Sequence, residues 1–343
     1  MRSSTLFLVF VSVLVAGCGS SDGGSSIGLT AEFREFPVPV VSNDPGASPP
    51  GCWPDDLIGD ALGNIWFAQH HSNEIGKMSP LGVYTGFPVP TARSVMDSIA
   101  VDKVRGIVWV SATDGNRIMR LEMATGFVTE ISYIRPDASP GDLTLTPDGT
   151  LWFTLGYEGG GRPGGIAKLD PATNQITEIA MPGPRGGFDG ITVDASEAVW
   201  FVELANNKIG RYKSGLVTEF PLPRVGVVPT NIAIDSSGRI WVTEQAGDAL
   251  ARFDPLTRTW IEIRIPTRGS LSAGIAIDPN DNVWFTEFGS NKIGLLRAGS
   301  NTVADFAIPT PNSGPEDVKV IDGKVYFTEQ YGNKIGQITV TGI

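Results

Sequence analysis

The chain is poor in the residues that most often announce chemistry. Two histidines, His70 and His71, and two cysteines, Cys18 and Cys52, are spread over 343 residues. There is no Cys/His spacing for a metal, no phosphate-binding loop and no Ser-His-Asp signature. Positive charge is also scarce, with 26 Lys and Arg against 37 Asp and Glu, a net charge of -11. Nucleic-acid binding needs a basic footprint, so that class is excluded. No segment beyond the first residues keeps a helical period, which argues against any helix-built fold. The single long apolar run, Leu6 to Val15, is too short to span a bilayer.

That run has another reading. Arg2 precedes it and Val15-Ala16-Gly17-Cys18 follows it. Residues 1–17 therefore read as a secretory signal peptide. Its end resembles a bacterial lipobox, in which Cys18 becomes the lipid-modified first mature residue. Residues 18–29 are Gly/Ser-rich and read as a flexible tether. The expectation is a protein exported across the bacterial inner membrane, held to the envelope by its lipid alone and monomeric. Cys52 is then left without a partner, a buried thiol.

Glycine (42) and proline (25) are abundant, as many short strands joined by turns require. One short apolar strand recurs seven times: Ile65-Trp66-Phe67, Val108-Trp109-Val110, Leu151-Trp152-Phe153, Val199-Trp200-Phe201, Ile240-Trp241-Val242, Val283-Trp284-Phe285 and Val325-Tyr326-Phe327. Successive aromatics lie 41 to 48 residues apart. Each period divides into four β-rich runs separated by Asn, Asp, Gly and Ser-Gly turns. The fold class is all-β, and the spacing predicts a seven-bladed β-propeller over residues 30–343. The last repeat ends after three strands, and its missing fourth lies at Ala31 to Pro39. The N-terminal strand is expected to complete the last blade and leave no open edge. Two segments depart from the pattern, residues 40–52 and 156–165, and long loops on a rigid scaffold often carry function.

The unit Trp-Phe-Thr-Glu-x-x-x-Asn-Lys-Ile-Gly (Trp284 to Gly294), Val217 to Pro223 and Trp66 to Asn73 resemble the virginiamycin B lyase, or streptogramin lyase, family. The resemblance covers all seven repeats. It implies the seven-bladed fold and a magnesium-dependent lyase that opens a cyclic depsipeptide antibiotic. It also implies catalytic positions, and here they differ. Ala273 stands where the family has a histidine leading into blade six. Leading into blade seven, Gly314 replaces a glutamate and Glu316 a histidine. Gln330 stands at the second catalytic glutamate. Ala, Gly and Gln cannot titrate, so the catalytic residues of any reaction are unassigned.

Alternating strand direction places the lead-in to each first strand and the loop after each second strand on one face. The column lying two residues before the first-strand apolar residue reads Asp55, Asp97, Gly141, Asp189, Thr230, Ala273 and Glu316. Asp55, Asp97, Asp189 and Glu316, with His70 on the same face, are the candidate ligand- or metal-binding residues. Asp55, Asp97 and Glu316 fall on consecutive blades and suit Mg²⁺ or Ca²⁺. Converging carboxylates also suit a general base, and lone acids at strand starts often only cap turns. Three functions stay open. The first is a binding propeller for a small molecule, glycan or protein. The second is a metal-dependent enzyme, either a diverged lyase or a lactonase-like hydrolase. The third is a structural or assembly protein of the envelope. The repeated Glu203, Glu244, Glu287 and Glu329 read as scaffold.

Overall fold

The computed structural model describes residues 28–40, 51–91, 94–133, 135, 138–156, 164–182 and 186–342, together with the backbone of Val15–Ala16. Most of residues 1–29, read above as a signal peptide and tether, lies outside the described residues, Cys18 included. So do positions 41–50 and 157–163 of the two long loops.

Seven antiparallel sheets form the ring. Blade one runs Pro54–Gly59, Ile65–Gln69, Glu74–Met78 and Tyr84–Pro88. Blades two to six repeat that order from Met96, Pro140, Phe188, Pro229 and Ser272. Blade seven takes Pro315–Ile321, Lys324–Glu329 and Lys334–Thr341 from the C-terminus and Thr30–Pro37 from the N-terminus, as expected. Thr30–Pro37 pairs with Lys334–Thr341 over eight residues. Val15–Ala16 adds a short fifth strand outside it. Each first strand packs on the first strand of the next blade, and that of blade seven on that of blade one. Among the described residues the one helix is a three-residue turn at Phe288–Ser290, and none is long and apolar enough to cross a membrane.

The recurring motif can be resolved residue by residue. The tryptophan fills the space between blades and is buried. Its indole also donates to an aspartate six positions earlier: Trp66 to Asp60 and Trp200 to Asp194 at 2.9 Å, Trp284 to Asp278 at 3.1 Å. The same aspartates accept turn N–H groups, so one carboxylate closes the hairpin and orients the ring. The phenylalanine lies across from the glycine of Lys-Ile-Gly, in the pairs Phe67–Gly76, Phe201–Gly210, Phe285–Gly294 and Phe327–Gly336. A Cβ on any of these glycines would come within 2.1–2.2 Å of the ring. In these four blades the glycine leaves room for the ring, while blade three seats Phe153 opposite Ala167. Blade five, with Val242, carries Ala251 opposite.

The threonine answers a defect present in every blade. All seven first strands bulge, at Pro54/Leu57, Met96/Ile99, Pro140/Leu143, Phe188/Ile191, Pro229/Ile232, Ser272/Ile275 and Pro315/Val318. A bulge frees a backbone N–H. The hydroxyls of Ser111, Thr154, Thr243, Thr286 and Thr328 accept it. Thr243 and Thr286 then donate to the carbonyls of Ala273 and Glu316 in the following blade. The asparagine takes a left-handed φ of 54° at Asn207, 60° at Asn291 and 50° at Asn333, which this side chain tolerates. Its amide clasps the lead-in of the next blade; Asn333 Oδ1 accepts from Cys52 N at 2.8 Å. The lysine pairs with an acid of the fourth strand at 2.6 Å: Lys208–Glu219, Lys292–Asp305 and Lys334–Glu35. The motif is scaffold throughout, its glutamate included.

Candidate functional site at the channel mouth

The seven bulges are what build the site. In a regular strand, neighbouring residues point to opposite faces. At a bulge, two adjacent residues turn toward the channel. A cavity of about 80 Å³ at the upper end of the channel is lined by Asp55, Asp97, Asp189, Thr230, Ala273 and Glu316 from the predicted column. Asp56, Ser98, Asp142, Asn231, Gly274 and Asp317, each one residue further on, line it too.

The upper ring is acidic. Asp55 is held well above the usual carboxylate range by burial, then by Asp97, Glu316 and Asp56. Burial and Asp97 push Glu316 up to about 7. Asp189 is also raised, by burial and then Asp142, Asp97 and Glu316, while Gly190 N–H donates to it and opposes the rise. Asp189 thus partly caps its own bulge in blade four, where Val202 replaces the motif threonine, as Ala68 does in blade one. His70 joins Asp55 and Asp97, with ligand atoms of the three within 4.8 Å of one another. Burial and the neighbouring His71 bring His70 down to about 4, so its imidazole is neutral. Trp53 stacks on His70 at 6.3 Å between ring centres and meets Tyr331 edge-on at 5.1 Å.

Beneath the ring lies a charged floor centred on Lys319. Its Nζ is 3.1 Å from Asp56 and also pairs with Asp317. Ser98 Oγ sits 2.6 Å from Asp56 Oδ2 and 2.7 Å from Asp142 Oδ1. One hydroxyl donates one proton, so the second contact needs a protonated carboxyl. Burial raises both acids, but Lys319 and the bonds from Ser98 and Ile99 bring Asp56 below its usual value. Asp142 stays raised, by burial and then by Asp56, with Lys319 and the bonds from Ser98 and Ile191 opposing the rise.

A sequence profile of the virginiamycin B lyase family matches residues 43–259 and 162–343. The chain belongs to the virginiamycin B lyase family. A curated virginiamycin B lyase from Nocardia farcinica is 28% identical over 198 residues, 48% of this chain and 68% of that one. Among solved structures, the virginiamycin B lyase of Staphylococcus aureus aligns with a TM-score of 0.79 at 27% identity, over 90% of this chain and 99% of that one. A streptogramin B lyase aligns at 0.81 and 29%, over 91% and 98%. A catalytically inactive His-to-Ala variant of the Staphylococcus aureus enzyme, solved with quinupristin, aligns at 0.80 and 26%, over 90% and 99%.

Against the family, the departures all fall at this mouth. Ala273 is part of the cavity wall. Gly314 has a left-handed φ of 62° and lies under the Tyr331 ring. Gln330, at the family glutamate position, donates its amide to Asp55 at 3.3 Å. The structure brings Asp55, Asp97, Asp189 and Glu316 to one cavity and His70 to its edge. The metal trio read from the sequence is regrouped: His70 joins Asp55 and Asp97, while Glu316 lines the same cavity outside that cluster. Sequence reasoning missed the floor of Asp56, Ser98, Asp142, Asp317 and Lys319, and also Gln245 on the rim. Gln245 follows Glu244 as Gln330 follows Glu329, a signal that was available. Cys52 is buried and unpaired, and burial pushes its thiol up to about 12.

Proposed function

We propose that this family member is an extracytoplasmic, lipid-anchored propeller that binds a cationic ligand or a divalent cation at its acidic mouth and does not open streptogramins. The carrying observation is the mouth itself. Ala273, Gly314, Glu316 and Gln330 occupy the four positions at which the family resemblance expects two histidines and two glutamates. Around them the four carboxyls of the upper ring, Asp55, Asp97, Asp189 and Glu316, line one small cavity. Carboxylates raised by burial and by one another are each stabilised by an arriving cation. Asp55, Asp97 and the neutral imidazole of His70 fit a divalent ion by charge and reach. The anchor reading rests on Arg2, the apolar run and Ala16-Gly17-Cys18.

The test has two parts. Incubation with a streptogramin B and Mg²⁺ is expected to give no linear product. Titration with Ca²⁺ or Mg²⁺ is expected to raise the melting temperature, and Asp55→Asn with Asp97→Asn to remove the rise. Turnover of the antibiotic overturns the first expectation, and a rise unchanged in the double variant overturns the second. The clustering of His70 with two carboxylates favours a second reading, a metal-dependent hydrolase, in which the bound ion supplies an activated water. Cation-dependent opening of a lactone panel is its signature.

A further inference from the structure

The lower face breaks the sevenfold pattern at one place. In blades one to five, the third-strand residue paired with the tryptophan is basic: Lys77, Arg120, Lys168, Arg211 and Arg252. Four of these lie over the indole ring at 5.2–5.8 Å, a cation–π lid. Blade six has Leu295 opposite Trp284, and blade seven has Gln337 opposite Tyr326. Between these two blades a cleft of about 890 Å³ opens, within the range of small-molecule sites.

Three features mark it as more than a gap. Arg297 and Lys324 line it, both exposed, and among the described residues neither side chain has an ion-pair or hydrogen-bond partner. They stand together on a protein of net charge -11. The acid in the lining, Asp278, accepts from Asn280 N, Asn282 and the Trp284 indole and forms an ion pair with neither cation. The third feature is Gln337, which is 6% exposed, lines the cleft and has no side-chain hydrogen bond. Its amide has no protein partner among the described residues, so water or a ligand in the cleft serves it.

We propose that this cleft binds a polyol phosphate, with the phosphate between Arg297 and Lys324 and hydroxyls on Gln337, Ser300 and Thr339. Two cations favour a phosphate, and an arginine adds planar, forked donors. The neutral polar lining suits a hydroxylated body. The ligand is either a membrane headgroup or a soluble ester. The chain enters the ring at this same face, where Thr30 pairs with Thr341. If the anchor reading above holds, a tether of about twelve residues keeps the cleft within roughly 20 Å of the bilayer.

The test is hydrogen exchange on the full chain in nanodiscs. The readout is protection of the turns at 297–300 and 323–325. Protection in phosphatidylglycerol discs but not phosphatidylcholine discs assigns the headgroup. Protection in phosphatidylcholine discs on adding glycerol 3-phosphate assigns the soluble ester. In either case, Arg297→Gln with Lys324→Gln is expected to weaken the response at least about tenfold, as loss of charge-assisted contacts does. Both side chains are exposed, so this variant is expected to melt like the parent. Gln337→Leu, which keeps the packing, is expected to weaken the response to the hydroxylated ligand while leaving that to inorganic phosphate. No protection under any condition, or protection unchanged in the double variant, overturns the proposal. It does so without touching the reading of the mouth.

Discussion

Replacing Gly294 by alanine tests the pairing that underlies the motif. A Cβ there would meet the Phe285 ring at 2.1, 2.4 and 2.5 Å, and Phe285 is fully buried, so the ring cannot swing away. Overpacking of this kind costs about 1–3 kcal/mol. The lower chain entropy of alanine returns about 0.4–1 kcal/mol. The net expectation is a loss of about 1–2 kcal/mol. Phe285→Val alone leaves a cavity and costs about 2–4 kcal/mol. The double variant recreates the pair that blade five uses, Val242 opposite Ala251. Its cost is expected to fall below the sum of the singles by about 1–2 kcal/mol, since residues in contact couple. Urea unfolding of the four proteins measures this directly. Additivity within about 0.5 kcal/mol would refute the claim that Gly294 makes room for the Phe285 ring in blade six.

Two further predictions concern charge. Burial and then Glu35 hold Glu329 up to about 8, against an ordinary value of 4.5. Between these values the folded state keeps a proton that the unfolded chain releases, so stability falls as pH rises through that window. Glu329→Gln, the residue that blade one uses at Gln69, is expected to flatten this slope and to stabilise by on the order of a few kcal/mol at pH 8. Melting curves at pH 5 and 8 check it. Lys319→Met leaves Asp56, Asp142 and Asp317 without their cation, and is expected to cost about 3–5 kcal/mol at neutral pH. Acid should reduce the loss by protonating the carboxylates that are still charged, and unfolding at pH 7 and pH 4.5 shows whether it does.

The scaffold was legible because it is written seven times. Trp66 and its six counterparts fixed the period, and the three-strand last repeat showed where Thr30–Pro37 had to go. The upper ring followed from strand direction alone, which is how Asp55, Asp97, Asp189 and Glu316 were placed together. The floor was not legible. Alternation assigns Asp56 and Asp317 to the face opposite Asp55 and Glu316, and only the bulge brings both members of each pair to the channel. Lys319 sits two residues beyond Asp317 on an inner strand, where a lone lysine gives no sign of its partners. The aspartates under the indoles were readable at a spacing of six before Trp66, Trp200, Trp241 and Trp284. Their role needed the hydrogen bonds.

The closing strand also has a consequence in time. Thr30–Pro37 is made before any blade, yet its partner Lys334–Thr341 is made after all the strands of blades one to six. Thr30 and Thr341, whose hydroxyls meet in the closed ring, are 311 residues apart in the chain. Until Lys334–Thr341 arrives, this strand lacks the partner it holds over eight residues, and blade seven cannot form. Such distant pairing is slow and leaves edges open to other chains. Blades one to six can assemble in order as they are made, but the ring stays open until Lys334–Thr341 is delivered. Loss of that short segment should therefore be worse than loss of any loop of equal length, because it removes the third strand of blade seven and strands the first-made strand without a partner.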